Sequence, residues 1–343
     1  MPKSFFVVLF IFISPFVFLQ KNIAQQTNKP ITVGGITYLD SSLLQLLPRG
    51  TTIEIIGSGY QHIEGPLWIK DSSMLLFSDT KARTIYRWQE LKGTTKFLEN
   101  AGFTGRLPYG EEAGTNGLAL NQNGELVICE HGDRKLALFP LNGRYGLKTL
   151  TDNYEGKRYN SPNDVVIKSD GAIYFTDPPY GLPLKEKDGT KETKSNGVYN
   201  IAKDGSVKLL IDSLIYPNGL AFTPDETQLY VAVSDSIHPH ILRYDVKKDG
   251  SLANGKLFFD ASLLPREDVM QRTDGLKIDD AGNVWSSGPG GLLIINKEGK
   301  LLGIIHTGEI IANCAWGDDG STLYFTGNTF LYRVKTNAKR NGF

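Results

Sequence analysis

A pattern that recurs six times along the chain constrains its fold more than any bulk property does. A polar residue opens a short apolar run, a turn containing Asp, Asn or Gly follows, and a second apolar, aromatic-rich run comes next. In the first half the copies read Glu64-Gly-Pro-Leu-Trp then Met74-Leu-Leu-Phe, Asn116-Gly-Leu-Ala-Leu then Glu125-Leu-Val-Ile, and Asn163-Asp-Val-Val-Ile then Ala172-Ile-Tyr-Phe. In the second half they read Asn218-Gly-Leu-Ala-Phe then Gln228-Leu-Tyr-Val, Asp274-Gly-Leu-Lys-Ile then Asn283-Val-Trp, and Asn313-Cys-Ala-Trp then Thr322-Leu-Tyr-Phe. The opening residues stand 52, 47, 55, 56 and 39 positions apart, a period that suits small four-stranded sheets repeated around an axis.

Each pair of runs is followed by a β-branched or aromatic third run, such as Thr84-Ile-Tyr-Arg-Trp or Phe330-Leu-Tyr-Arg-Val. A fourth run closes most units, as in Val207-Lys-Leu-Leu-Ile, but the sixth unit ends without one. The unassigned segment Thr52-Ile-Glu-Ile-Ile can supply that missing outer strand, closing the ring with the chain's own ends and leaving only short edges unpaired. The expectation is therefore an all-β, six-bladed β-propeller over residues 51–336, preceded by an extension at 27–50 and followed by a tail at 337–343. Long amphipathic helical periodicity is absent, and only Ser41 to Leu47 suggests a turn of helix.

In a propeller the first strand of each blade lines the central channel, so the opening residues Glu64, Asn116, Asn163, Asn218, Asp274 and Asn313 form a ring. Every member offers a carboxylate or amide oxygen, and none is Lys or Arg. Oxygen-only donors with two formal negative charges suit a hard divalent cation, whereas zinc or soft metals call for His or Cys. Asn-Gly and Asp-Gly pairs also serve as ordinary turn residues. Turn chemistry does not account for Glu64 before Gly-Pro, nor for six aligned copies.

The second runs end on the face where the first runs begin, because consecutive antiparallel strands reverse direction. Their loops carry Asp79, Glu130-His131, Asp177-Pro-Pro-Tyr180, Asp235 and Ser286-Ser287, which makes them candidates for recognition. His131 reads equally as a hydrogen-bonded structural histidine, and Asp177 as a cap on the turn before its two prolines.

Bulk properties narrow the rest. Of 343 residues, 40% are hydrophobic and 22% charged, ordinary values for a globular chain. Lys plus Arg and Asp plus Glu both total 37, so nothing here attracts a nucleic acid at long range. The densest charge cluster, Lys185 to Lys194, mixes both signs and reads as a solvated loop. Lys3 followed by the apolar run Phe5 to Leu19, broken by Ser14 and Pro15, reads as a secretory signal over 1–26 with cleavage near Ala24. A periplasmic or secreted protein is expected, off the membrane once the signal is removed, and a monomer by default. Cys129 and Cys314 lie in apolar strand-like runs and read as buried free thiols.

At Glu64-Gly-Pro-Leu-Trp, Asn160-Ser-Pro-Asn-Asp164, Phe175-Thr-Asp-Pro-Pro-Tyr-Gly181, Tyr216-Pro-Asn-Gly219 and Thr273-Asp-Gly-Leu276, the chain resembles the gluconolactonase, senescence marker protein and luciferin-regenerating enzyme family. The likeness spans about residues 50–336 and implies a metal-dependent hydrolase of sugar lactones. It implies one divalent cation, calcium first with magnesium, manganese or zinc as alternatives, on Glu64, Asn163, Asn218 and Asp274. A carbonyl polarised by that ion would be attacked by water, with Asp274 as general base and Asp164 as the alternative. Asn116, His131, Asp177 and Tyr180 are the candidate substrate contacts, and Asn313 is structural. The other readings are a non-catalytic propeller whose ion steadies a surface for a sugar or protein ligand, and a hydrolase of another ester or an organophosphate. A serine hydrolase is disfavoured because no Gly-x-Ser-x-Gly elbow occurs.

Overall fold

The computed structural model describes residues 30–106 and 109–341, so the expected signal at 1–26 lies outside the described residues. Six antiparallel sheets, one for each sequence repeat, make a six-bladed β-propeller. In the first blade the strands run inward to outward as Ile63–Ile69, Met74–Asp79, Thr84–Gln89 and Gly93–Glu99. The inner strands of the following blades are Thr115–Leu120, Val165–Ile167, Pro217–Phe222, Leu276–Ile278 and Ile311–Gly317. All six opening residues thus sit on an inner strand or at its start.

Ring closure falls where the sequence pattern puts it. Ile53–Ser58 pairs antiparallel with Phe330–Lys335, with Ile53 opposite Val334 and Ser58 opposite Phe330, and so supplies the fourth strand of the sixth blade, counted from the axis. The segment before residue 51 takes part as well. Gly35–Tyr38 adds a fifth strand to the fifth blade by pairing with Leu301–His306. A single helical turn at Leu43–Leu46 follows, inside the stretch where a turn of helix was expected. Leu43 and Leu47 are buried with Trp285, Leu302 and Ile305, which anchors this segment between the fifth and sixth blades. Residues after 336 are also tied down: Ala338 is buried in the same cluster, and Asn337 donates its N–H to the Leu46 carbonyl at 2.8 Å.

The apolar core does not lie on the axis. It is divided among the junctions between neighbouring blades, as in the cluster of Leu76, Ile85, Leu118 and Ile128 between the first two. Tyr174, Val198, Leu220 and Val231 do the same between the third and fourth. This follows from strand geometry, since side chains of alternating residues face the two flanking blades and the channel receives what is left. Cys129 and Cys314 are free and buried in two different junctions.

The glycine after most opening residues has a steric cause. A Cβ on Gly219 would lie 2.3 Å from the Asp274 carbonyl oxygen, and one on Gly65 would lie 2.1 Å from that of Asn116. The same approach lets the second residue donate its N–H to the next blade: Gly117 to the Asn163 carbonyl at 2.7 Å and Gly275 to the Ala312 carbonyl at 2.7 Å. Substituting Gly219→Ala must force two backbones apart and is expected to cost about 1–3 kcal/mol, measured by denaturant unfolding. Gly189→Ala, where nothing lies within 4 Å of the added carbon, should be near neutral. Equal effects of the two changes would refute the steric account.

Candidate functional site

A cavity of about 340 Å³ opens at the start of the inner strands. Glu64, Asn116, Asn163, Asn218 and Asp274 line it together, so the propeller brings to one place residues up to 210 positions apart in the chain (274 − 64 = 210). Asn313, the sixth opening residue, is buried outside the lining. Its Oδ1 accepts the Cys314 N–H at 2.8 Å and faces the Lys277 ammonium at 3.5 Å.

The donors are held from behind by hydroxyls of the second strands. Ser78 donates to the Asn116 carbonyl at 2.7 Å, Thr176 to the Asn218 carbonyl at 2.8 Å and Ser234 to the Thr273 carbonyl at 2.5 Å. Each of these bonds crosses from one blade to the next. Ser234 Oγ also accepts from Asn218 Nδ2 at 3.0 Å, which fixes the orientation of that amide. The sequence signal was available, because each such hydroxyl directly precedes an Asp at the end of a second strand (Ser78-Asp79, Thr176-Asp177, Ser234-Asp235).

Those aspartates act in a different way from that expected. Asp177 is fully buried outside the cavity lining and accepts the N–H groups of Asn160 at 2.8 Å and Ser161 at 2.8 Å. Asp79 accepts those of Gln61 at 2.9 Å and His62 at 3.1 Å, the equivalent brace in the first blade. Both fix the chain entering an inner strand, and Asp177 does not line the cavity. His131 is likewise buried outside the lining, with Nδ1 against the Glu112 carbonyl at 3.1 Å and burial pushing its pKa down to about 4. Tyr180 does line the cavity; its hydroxyl is buried without a hydrogen-bond partner, and its ring stacks on Tyr216 at 5.6 Å.

The two candidate bases are placed differently. Asp164 stands where four of the other five copies have glycine and spends its carboxylate on backbone, accepting Val165 N–H at 2.9 Å and Leu220 N–H at 3.4 Å. It is absent from the lining. Asp274 lines the cavity, and its Oδ1 is buried without a partner, as is Asn116 Oδ1.

Sequence reasoning missed the rim. His62, Lys81, Glu112, Lys185, Asp268 and Arg272 supply the ionisable groups of the rim, and Lys185 belongs to the loop expected to be merely solvated. These residues lie outside the repeated pattern, on connections whose course periodicity does not specify.

Electrostatically the floor is under tension. Burial, with Asp274 and Asp164 adding to it, pushes the Glu64 carboxyl well above the usual carboxylate range. Burial pushes Asp274 up to about 7, opposed by the Arg272 guanidinium and reinforced by Asp164 and Glu112.

An axial pocket of oxygen donors on a six-bladed propeller defines the class of protein. The chain belongs to the SMP-30/gluconolactonase/LRE-like family, whose pattern matches residues 63–329. It is 37% identical over 319 residues to a gluconolactonase of Zymomonas mobilis, covering 89% of this chain and 87% of that one. A gluconolactonase of known structure from Xanthomonas campestris superimposes with a TM-score of 0.78 at 29% identity, over 91% of this chain and 99% of that chain. A calcium-binding protein, regucalcin, from Agrobacterium tumefaciens shares the fold, with a TM-score of 0.66 at 17% identity over 84% and 94% of the two chains.

The raised carboxyl of Asp274 has a sign that can be checked. A carboxyl that holds its proton more tightly folded than unfolded contributes stability below its ordinary pKa of 3.8, and that contribution is lost as pH rises through about 7. In a chelating buffer the melting temperature of Asp274→Asn should therefore exceed that of the parent increasingly between about pH 4 and pH 7. A constant difference across that window would refute the assignment.

Proposed function

We propose that this protein hydrolyses the ring ester of a sugar lactone with the aid of a divalent cation held by Glu64, Asn163, Asn218 and Asp274. The observation that carries the proposal is the convergence of the buried Glu64 carboxylate, the half-buried Asp274 carboxylate and three buried amide side chains on one cavity, in a chain 37% identical to a gluconolactonase. Two carboxylates confined together raise each other's proton affinity, and unpartnered Asp274 Oδ1 and Asn116 Oδ1 leave buried acceptors unused. A hard cation that prefers oxygen suits both facts, and calcium, which accepts mixed carboxylate and amide donors, suits them best.

Bound there, a divalent cation supplies positive charge for the lactone carbonyl oxygen as it becomes an oxyanion. The remaining work falls to the chain's own groups. Asp274 is the base: it lines the cavity and accepts a proton from the attacking water. Asp164 is set aside because its oxygens hold the Val165 and Leu220 N–H groups. Asn116 and Tyr180 line the cavity with unpartnered polar atoms and are the groups assigned to orient the sugar by hydrogen bonds. The phenol stays protonated, because burial raises its pKa, and so it serves as a donor. The apolar segment Phe5 to Leu19 supports export to the periplasm or outside the cell.

Chelation should abolish hydrolysis of gluconolactone, and added calcium should restore it. Asp274→Asn is expected to lose about 10²–10⁴-fold in kcat, as general-base removal does. Glu64→Gln should lower both bound metal, read by elemental analysis, and turnover. Asp164→Asn should retain the ion and most of the turnover; loss of turnover with the ion retained would move the base to Asp164. Chelator-insensitive hydrolysis, or no turnover of any lactone by the metal-loaded protein, would overturn the proposal.

A further inference from the structure

Arg272 lines the same cavity as Asp274 and reaches it from the segment that leads into the fifth inner strand. That segment is rigidly held. Thr273 is fully buried, and its hydroxyl donates to the Val233 carbonyl at 2.8 Å and to that of His240 at 3.2 Å. Arg272 Nη1 donates to the carbonyl of Ser234, the residue whose hydroxyl ties Asn218 to Thr273, at 3.3 Å. The guanidinium is therefore positioned by the same short network that positions two of the floor residues.

It is also underused. Its other hydrogen bond runs from Nη2 to Met270 Sδ at 3.5 Å, so both contacts lie at the long end of the range. A guanidinium carries five N–H donors in a planar fork, and most of these are uncommitted here. Asp274 is near enough for the two charges to influence each other, yet among the described residues no carboxylate forms an ion pair with Arg272. The other two rim cations stand further out: Lys81 lies 3.8 Å from the exposed Glu111, and Lys185 is itself exposed.

The reaction proposed above creates a need for such a group. The water oxygen bonds to the carbonyl carbon and the bond from that carbon to the ring oxygen breaks. One water proton ends on the ring oxygen and the other leaves the new acid, so a neutral ester becomes a hydroxyl and a carboxylate. That negative charge appears over a floor whose two carboxylates, Glu64 and Asp274, already balance the charge of a divalent cation, so the new anion has no counter-charge there. A planar fork of N–H groups on the wall matches a carboxylate in charge and in shape.

We propose that Arg272 is a specificity-determining residue of the site, which binds the carboxylate generated by ring opening and thereby makes the pocket recognise sugar acids as well as their lactones. The inference rests on the lactonase reading for the origin of the anion, but it is tested by binding. Its signature is asymmetry: a neutral lactone gains little from the guanidinium, whereas the acid gains a charge-assisted, forked contact.

The experiment is calorimetric titration of the metal-loaded protein with sodium gluconate, alongside steady-state kinetics on gluconolactone, for the parent, Arg272→Gln and Arg272→Lys. Arg272→Gln should weaken gluconate binding by about tenfold or more, with the KM for the neutral lactone moving less than about threefold. Arg272→Lys should recover part of the gluconate affinity, and unchanged metal content and melting temperature in both variants would show the pocket intact. Equal gluconate affinity in parent and Arg272→Gln would overturn the proposal. So would a parallel rise in the gluconate Kd and the lactone KM, or a larger loss of gluconate affinity in Lys185→Gln. If the parent binds gluconate through Arg272 yet hydrolyses no lactone, the lactonase reading fails and the anion site stands. If lactone turns over but gluconate affinity ignores Arg272, only this inference fails.

Discussion

Gly117 donates its backbone N–H to the Asn163 carbonyl of the next blade at 2.7 Å, and Gly219 does the same to Asp274 at 3.2 Å. These contacts bring the inner strands so close that a Cβ on either glycine would fall within 2.6 Å of a neighbouring backbone oxygen. The site depends on that approach. Residues directly before the close contacts project into a shared cavity, whereas wider spacing would leave six separate polar positions around an open channel. Asp164, the exception to glycine among the first five copies, is accommodated because its carboxylate accepts N–H groups from its own blade and the next.

Stability and chemistry are separated in space by this arrangement. Apolar burial is distributed over the blade junctions, where aromatic pairs such as Trp68 with Tyr324 at 5.3 Å and Trp285 with Trp316 at 5.3 Å join adjacent sheets. The axis can then hold groups that oppose folding. Burying Glu64 and Asp274 together is unfavourable for the bare chain, and the raised proton affinities of both carboxyls express that cost. A ring closed by its own ends can tolerate it, because Ile53–Ser58 and Phe330–Lys335 join the first and last parts of the propeller in one sheet.

The polar groups beneath the site form a supporting layer with its own repeat. Hydroxyls of Ser78, Thr176 and Ser234 bridge to the next blade, while the carboxylates of Asp79 and Asp177 gather the N–H groups of the chain entering their own blade. These residues place the carbonyls and side chains of the opening positions without lining the cavity, and the Ser234 hydroxyl also orients the Asn218 amide. Thus the Thr-Asp-Pro-Pro-Tyr stretch contributes in three ways: Thr176 bridges, Asp177 braces, and Tyr180 forms part of the cavity wall.

What the linear order of residues determined by itself was everything that repeats: the six blades, the closure by Thr52 to Ile56, and the ring of Glu64, Asn116, Asn163, Asn218 and Asp274. Repetition makes these visible because each inner strand places its opening residue in the same way. What only the tertiary structure decided was everything carried by a single connection. Asp177 and His131 stand on the expected loops but are buried outside the cavity lining, and Lys81, Lys185 and Arg272 reach it from loops of unequal length. The different surroundings of Asp274 and Asp164 belong here too, since only the fold shows that Asp164 accepts the backbone N–H groups of Val165 and Leu220 while Asp274 lines the cavity. The physical reason is the same throughout: strand periodicity is a local property of the chain, whereas the direction in which a loop side chain points is set by the blade it lands against.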